Sequence, residues 1–158
     1  MRTGRDDKKR AEWFQRPGEW NSEPDWAVLE EESMSCTVRR NGSGAWCGYV
    51  IIPDWHPFYG NTKVMHGEPV WLDVHGGVSF NGMMGFNPET GIDPSWVVGF
   101  DCSHMSDLSP GDPRSAGTYH NFEYAETETR GLAAQVSQHG SLEQLCRIVS
   151  GSNNGGEE

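Results

Sequence analysis

Residues 34–52 constrain the fold more than any other stretch. Two runs rich in strand-forming residues, 34–40 and 45–52, flank Asn41-Gly42-Ser43-Gly44. Asn-Gly reaches the positive φ angles that tight hairpin turns need, so the stretch predicts an antiparallel ribbon. If Arg40 faces Ala45, then Val38 faces Cys47 and Cys36 faces Tyr49. That register puts Met34, Cys36, Val38, Cys47, Tyr49 and Ile51 on the core side, with Trp46, Val50 and Ile52 opposite. The cysteines are then packing residues.

The rest of the chain is read around this ribbon. Residues 69–74 and 96–100 are short apolar runs that predict a third and a fourth strand, the fourth apolar on both sides and therefore central. Between them, residues 81–95 form a long irregular connection broken by Gly82, Gly85, Pro88 and Pro94. Residues 122–138 predict the longest helix, because Ala125, Thr129, Leu132, Ala133 and Val136 make a stripe at helical spacing. His139-Gly140 ends it, and Ser141 to Gln144 is a capping-box start for a short second helix.

Residues 1–24 mix charges with Trp13, Phe14 and Trp20 and are broken by Pro17-Gly18 and Pro24. They are expected to be a mobile N-terminal extension with a short helix around residues 6–15. A single domain then spans 25–149, and the polar, glycine-rich 150–158 is expected to be a disordered tail. With 158 residues, seven tryptophans and twenty glycines, the chain suits one loop-rich domain with a few bulky anchors, burying roughly 70% of its extended surface. The expected fold class is α+β: a small, mainly antiparallel sheet with one longer C-terminal helix packed on it and long irregular loops.

A formal net charge of −11 with only twelve Lys and Arg argues against a general nucleic-acid-binding surface, which needs clustered cations. A small anionic ligand remains compatible, since Arg39, Arg40, Lys63, Arg114 and Arg130 are available to hold a phosphate. No apolar run approaches the ~20 residues that cross a bilayer, and the charged start lacks the apolar centre of a signal peptide. The expectation is a soluble cytoplasmic protein without a membrane partner. Cys36, Cys47, Cys102 and Cys146 include no Cys-x-x-Cys pair, so free thiols are expected.

Both strands around the 81–95 connection run into residues that carry chemistry. His75-Gly76-Gly77 follows the third strand, and the two glycines let a ligand come close to the main chain. The fourth strand passes into Asp101-Cys102-Ser103-His104-Met105-Ser106-Asp107. The Asp-x-x-His-x-x-Asp spacing is compact enough for one divalent metal ion, and His75 adds a second imidazole. A histidine beside a carboxylate also suits acid–base catalysis, with His75, Asp101 and His104 as the catalytic groups. A third element is the loop Trp55-His56-Pro57-Phe58-Tyr59, where Trp55 or Tyr59 offers a ring for stacking on a nucleobase.

Taken in order, Gly48-Tyr49-Val50, His56-Pro57 through Tyr59-Gly60, His75-Gly76-Gly77, Trp96, and Gly99-Phe100-Asp101-Cys102-Ser103-His104 through Asp107, followed by a helix, resemble a group of short, uncharacterised phage-encoded proteins. The resemblance spans residues 46–138 and implies an accessory protein of the infected host's cytoplasm, without an activity to carry over. Three functions follow as expectations. The first is capture of a small nucleotide-like ligand, in the manner of a counter-defence protein, by Trp55, His56, Tyr59, His75, Gly76, Gly77, Asp101, His104 and Asp107. The second is hydrolysis with His75, Asp101, His104 and Asp107 as metal ligands or acid–base groups. The third is an acidic interaction module that blocks a host defence protein.

Overall fold

A computed structural model describes residues 1–66, 71–85 and 93–155, with the backbone alone for 65, 66 and 142–155. It is an α+β structure. Six strands form one antiparallel sheet: β1 (Arg2–Gly4), β2 (Trp26–Glu31), β3 (Met34–Arg40), β4 (Trp46–Ile51), β5 (Phe80–Met84) and β6 (Ser95–Asp101). Their order across the sheet is β1-β2-β3-β4-β6-β5. A short helix, α1 (Asp7–Trp13), follows β1, and a long one, α2 (Phe122–Gly155), closes the chain. Among the described residues no helix is long and apolar enough to cross a membrane.

The expected stripe on α2 is the contact with the sheet: Ala125, Thr129, Leu132, Ala133 and Val136 are all fully buried. They meet Cys36, Val38, Trp46, Val50, Val98 and Phe100 in one core. Closest approach comes at Gly48, where a Cβ would fall 2.0 Å from Thr129 Oγ1 and 2.4 Å from the Phe100 ring. The opposite face of the sheet carries Arg39, Cys47, Tyr49 and Asp101, in line with the pairs Arg39↔Cys47 and Cys47↔Asp101.

Several expectations are corrected here. The β3–β4 hairpin forms, but its register is one residue longer: Arg40 pairs with Trp46, Val38 with Gly48 and Cys36 with Val50. The cause is Asn41, whose Oδ1 accepts from the amides of Ser43 and Ala45 while its own N–H donates to the Ala45 carbonyl, closing a five-residue loop. This single-residue change moves Trp46, Val50 and Ile52 to the core side and turns Cys47, Tyr49 and Ile51 to the other face.

The third strand expected at 69–74 is absent where the chain is described; 69 and 70 lie outside the described residues. Residues 71–74 do alternate, with Leu72 and Val74 buried and Trp71 and Asp73 exposed. However, the Asp73 N–H and C=O bond to the side-chain amide of Gln135 on α2 instead of to another strand. The missing strand is β5, inside the connection expected to be irregular, which pairs along β6.

The N-terminal residues are not a loose extension. β1 pairs with β2, Trp13 and Trp20 are buried, and Arg10 donates to both carboxylate oxygens of the buried Asp25. Arg40 also donates to Asp25, and to Glu23, which in turn accepts from the Tyr119 hydroxyl and from the Phe122 amide at the start of α2. At the other end, α2 does not stop at His139-Gly140 but continues to Gly155, with no second helix and no break before the expected tail at 150; 156–158 lie outside the described residues. Gly140 serves for space: a Cβ there would crowd the rings of His56 and Trp55.

Candidate functional site

The functional groups gather around Asp107, whose residue is only 2% exposed. A backbone N–H from His104 donates to Oδ2, as do the rings of His104 through Nδ1 (3.0 Å) and His75 through Nε2 (3.0 Å). The third imidazole, His120, reaches Oδ1 from Nε2 at 3.0 Å. Three of the chain's six histidines thus share one carboxylate. Burial opposes ionisation of Asp107, yet the hydrogen bonds from His75, from the His104 amide and from the His104 ring outweigh it and hold the carboxyl below its ordinary value.

Local structure explains the convergence. Asp107 follows β6, and its segment bridges to Thr118: the Leu108 amide donates to the Thr118 carbonyl and the Thr118 amide to Ser106. That bridge carries His120, two residues on, to the carboxylate. His75 sits in a turn closed by the Gly77 amide on the Val74 carbonyl, with Gly76 at φ 67° and Gly77 at φ 80°. A Cβ at Gly76 would lie 2.2 Å from Cε1 of His104, so this glycine is the surface on which the His104 ring rests.

Helix α2 adds the outer contacts. Tyr124 Oη lies 2.8 Å from His75 Nδ1 and 3.3 Å from Glu128 Oε1, and its ring packs against both His75 and His120. Burial pushes the Tyr124 phenol up to about 12, so it stays neutral. With the His75 proton on Nε2, donating to Asp107, Nδ1 accepts from Tyr124. Beside this centre a cleft of about 350 Å³ opens between residues 103 and 116, lined by His104, Asp107, Asp112 and the exposed Arg114.

Compared with known proteins, the chain matches no family model, no curated protein and no solved structure.

Of the residues expected in the site, His75, Gly76, His104 and Asp107 come together, and Gly77 closes the same turn. Asp101 does not join them. It lies on the sheet face away from α2, across from Cys47, and its Oδ1 accepts from the Ser103 amide. The Asp-x-x-His-x-x-Asp spacing therefore joins only its second and third members, because a strand end turns its alternate side chains to opposite faces.

The aromatic loop is also separate. His56 is buried, accepts from the Phe58 amide at Nδ1 and donates from Nε2 to the Val136 carbonyl, so it is a packing residue. Val136 and Tyr124 are twelve residues apart on α2, about 18 Å along the axis. Trp55 and Tyr59 are each close to half exposed. Sequence reasoning missed His120, Tyr124 and Glu128. His120 had no spacing partner, and Tyr124 and Glu128 stand one turn apart just beside the packing stripe of α2.

Proposed function

We propose that the protein is a hydrolase that holds a divalent cation at Asp107, His75 and His120 and acts on a small phosphoester of nucleotide type. The observation that carries this reading is that one ligand atom from each of these residues lies within 4.8 Å of the other two. Ligands bound at ~2.0–2.1 Å around a tetrahedral ion stand roughly 3.3 Å apart. His75 and His120 each lie 3.0 Å from Asp107, on Oδ2 and Oδ1 respectively. Modest side-chain movement would bring one oxygen and both nitrogens onto one ion, with a position left for water. Bound there, a divalent cation lowers the pKa of that water toward neutrality.

The surrounding residues fit both states of the centre. With Nε2 a ligand, the neutral His75 ring would be the other tautomer, its one proton on Nδ1 and donated to Tyr124, whose hydroxyl donates to Glu128. A ligating histidine held this way has its orientation and tautomer fixed by an outer hydrogen bond. His104 faces the cleft. It takes the proton from the attacking water and returns it to the alcohol oxygen as the phosphorus–oxygen ester bond breaks. Arg114 holds the substrate's phosphate oxygens. Together with the resemblance to phage-encoded proteins, this reading makes the chain an accessory enzyme directed at a host nucleotide.

The test is hydrolysis of a chromogenic phosphodiester by the purified protein with zinc or manganese, and by Asp107→Asn and His104→Ala. The expected result is metal-dependent turnover that falls at least a hundredfold in Asp107→Asn, with metal retained but turnover lost in His104→Ala. Turnover indifferent to chelator, or absent with every metal tried, overturns the reading.

A further inference from the structure

A second cleft, of about 360 Å³, lies on the sheet face turned away from α2, between α1 and strands β2 to β4. It shares no lining residue with the cleft beside His104. Its walls include Lys9 from α1, Arg39 from β3 and the rings of Trp26 and Tyr49. Arg10, Arg40, Arg114 and Arg130 make ion pairs, whereas Lys9 and Arg39, like Arg5, Lys8, Arg16 and Lys63, make none among the described residues.

The carboxylates of this cleft are already committed. Asp25 is shared by Arg10 and Arg40, and Asp6 caps α1 by accepting from the Lys9 amide. The cleft thus presents Lys9 and Arg39 outside any ion pair, together with the capping carboxylate of Asp6 at its edge. The Arg39 guanidinium lies 5.5 Å from the centroid of Tyr49, whose ring also rests over Gly99 and meets the Phe80 ring edge to face. A guanidinium stacked on a ring keeps its in-plane N–H donors available while its outer face accepts another flat group.

We infer that this cleft binds a nucleoside monophosphate, the base stacked on Arg39 and Tyr49 and the phosphate held by Lys9 and Arg39. The volume falls in the range of small-molecule sites, about 300–1,000 Å³. A stacked base contributes on the order of 1–3 kcal/mol, and phosphate held by arginine and lysine adds charge-assisted hydrogen bonds. The site is independent of Asp107, because the sheet separates them. Its ligand is the kind of nucleotide expected from the sequence, held by Arg39, one of the cations named there for a phosphate, and away from the aromatic loop and His75.

Calorimetric titration of the full chain with AMP, adenosine and inorganic phosphate, in the presence of chelator, tests this. The expected result is one AMP per chain, at least tenfold weaker in Arg39→Gln and in Lys9→Gln, and unchanged in Lys63→Gln, an exposed cation away from the cleft. The two variants sit on different elements and on partly exposed side chains, and a melting curve of each verifies the fold. No saturable AMP binding, AMP binding indifferent to Arg39→Gln, or phosphate bound as tightly as AMP overturns the inference. Because chelator is present, failure of the metal centre leaves this outcome unaffected.

Discussion

The two glycines beside His75 give the sharpest residue-scale test, because their backbones are alike and their surroundings are not. Both have positive φ, but a Cβ at Gly77 meets nothing within 4 Å whereas one at Gly76 strikes the His104 ring. Gly77→Ala is expected to cost about 1 kcal/mol from backbone strain alone, with the imidazoles undisturbed. Gly76→Ala is expected to cost more and to shift the His104 ring signals in an NMR spectrum. Equal melting temperatures and unchanged His104 resonances would count against the described packing. Thiols offer a second residue-scale test. Burial pushes Cys36 and Cys47 up to about 12 and Cys102 higher still, so little thiolate exists at neutral pH. Native protein at pH 8 should react with iodoacetamide at these three positions far more slowly than unfolded protein does, read by peptide mass spectrometry. Fast native labelling of Cys36 or Cys47 would contradict their placement.

At the scale of elements, α2 sits where Gly48 lets it. Gly48→Ala inserts a methyl against Thr129 and Phe100 with no room to receive it, and overpacking of this kind costs about 1–3 kcal/mol. A denaturant midpoint unchanged by this substitution would mean that the helix does not rest there. The N-terminal segment is tied down by charge, so Arg40→Ala, which leaves Asp25 and Glu23 short of a buried partner, is expected to lose about 3–5 kcal/mol. Elements whose stability comes from periodic packing were legible in the sequence: α2 over its stripe, the β3–β4 ribbon, and β6 as an interior strand. Elements decided by one polar side chain were not. Asn41 reset the hairpin register, and Gln135 took the backbone partners that residues 71–74 seemed to need from a strand.

For the whole molecule, the site was legible in part for the same reason. His75, His104 and Asp107 stand out as polar residues that follow short apolar runs, although only the second of those runs is a strand, β6. His120 does not, since it arrives through a bridge between two loops far apart in sequence. Asp101 was drawn in by spacing along the chain, although the pleat sends it to the face where Arg39 and Tyr49 lie. The molecule therefore carries two chemically distinct faces: histidines around one carboxylate under α2, and cations with aromatic rings on the open side. The measurement that tests this most directly is native mass spectrometry with metal analysis on the wild type, His120→Ala and Asp101→Asn, each loaded with zinc and freed of excess. One zinc per chain in the wild type and in Asp101→Asn, and its loss in His120→Ala, is the predicted result. Zinc retained without His120 but lost without Asp101 would contradict the centre described around Asp107.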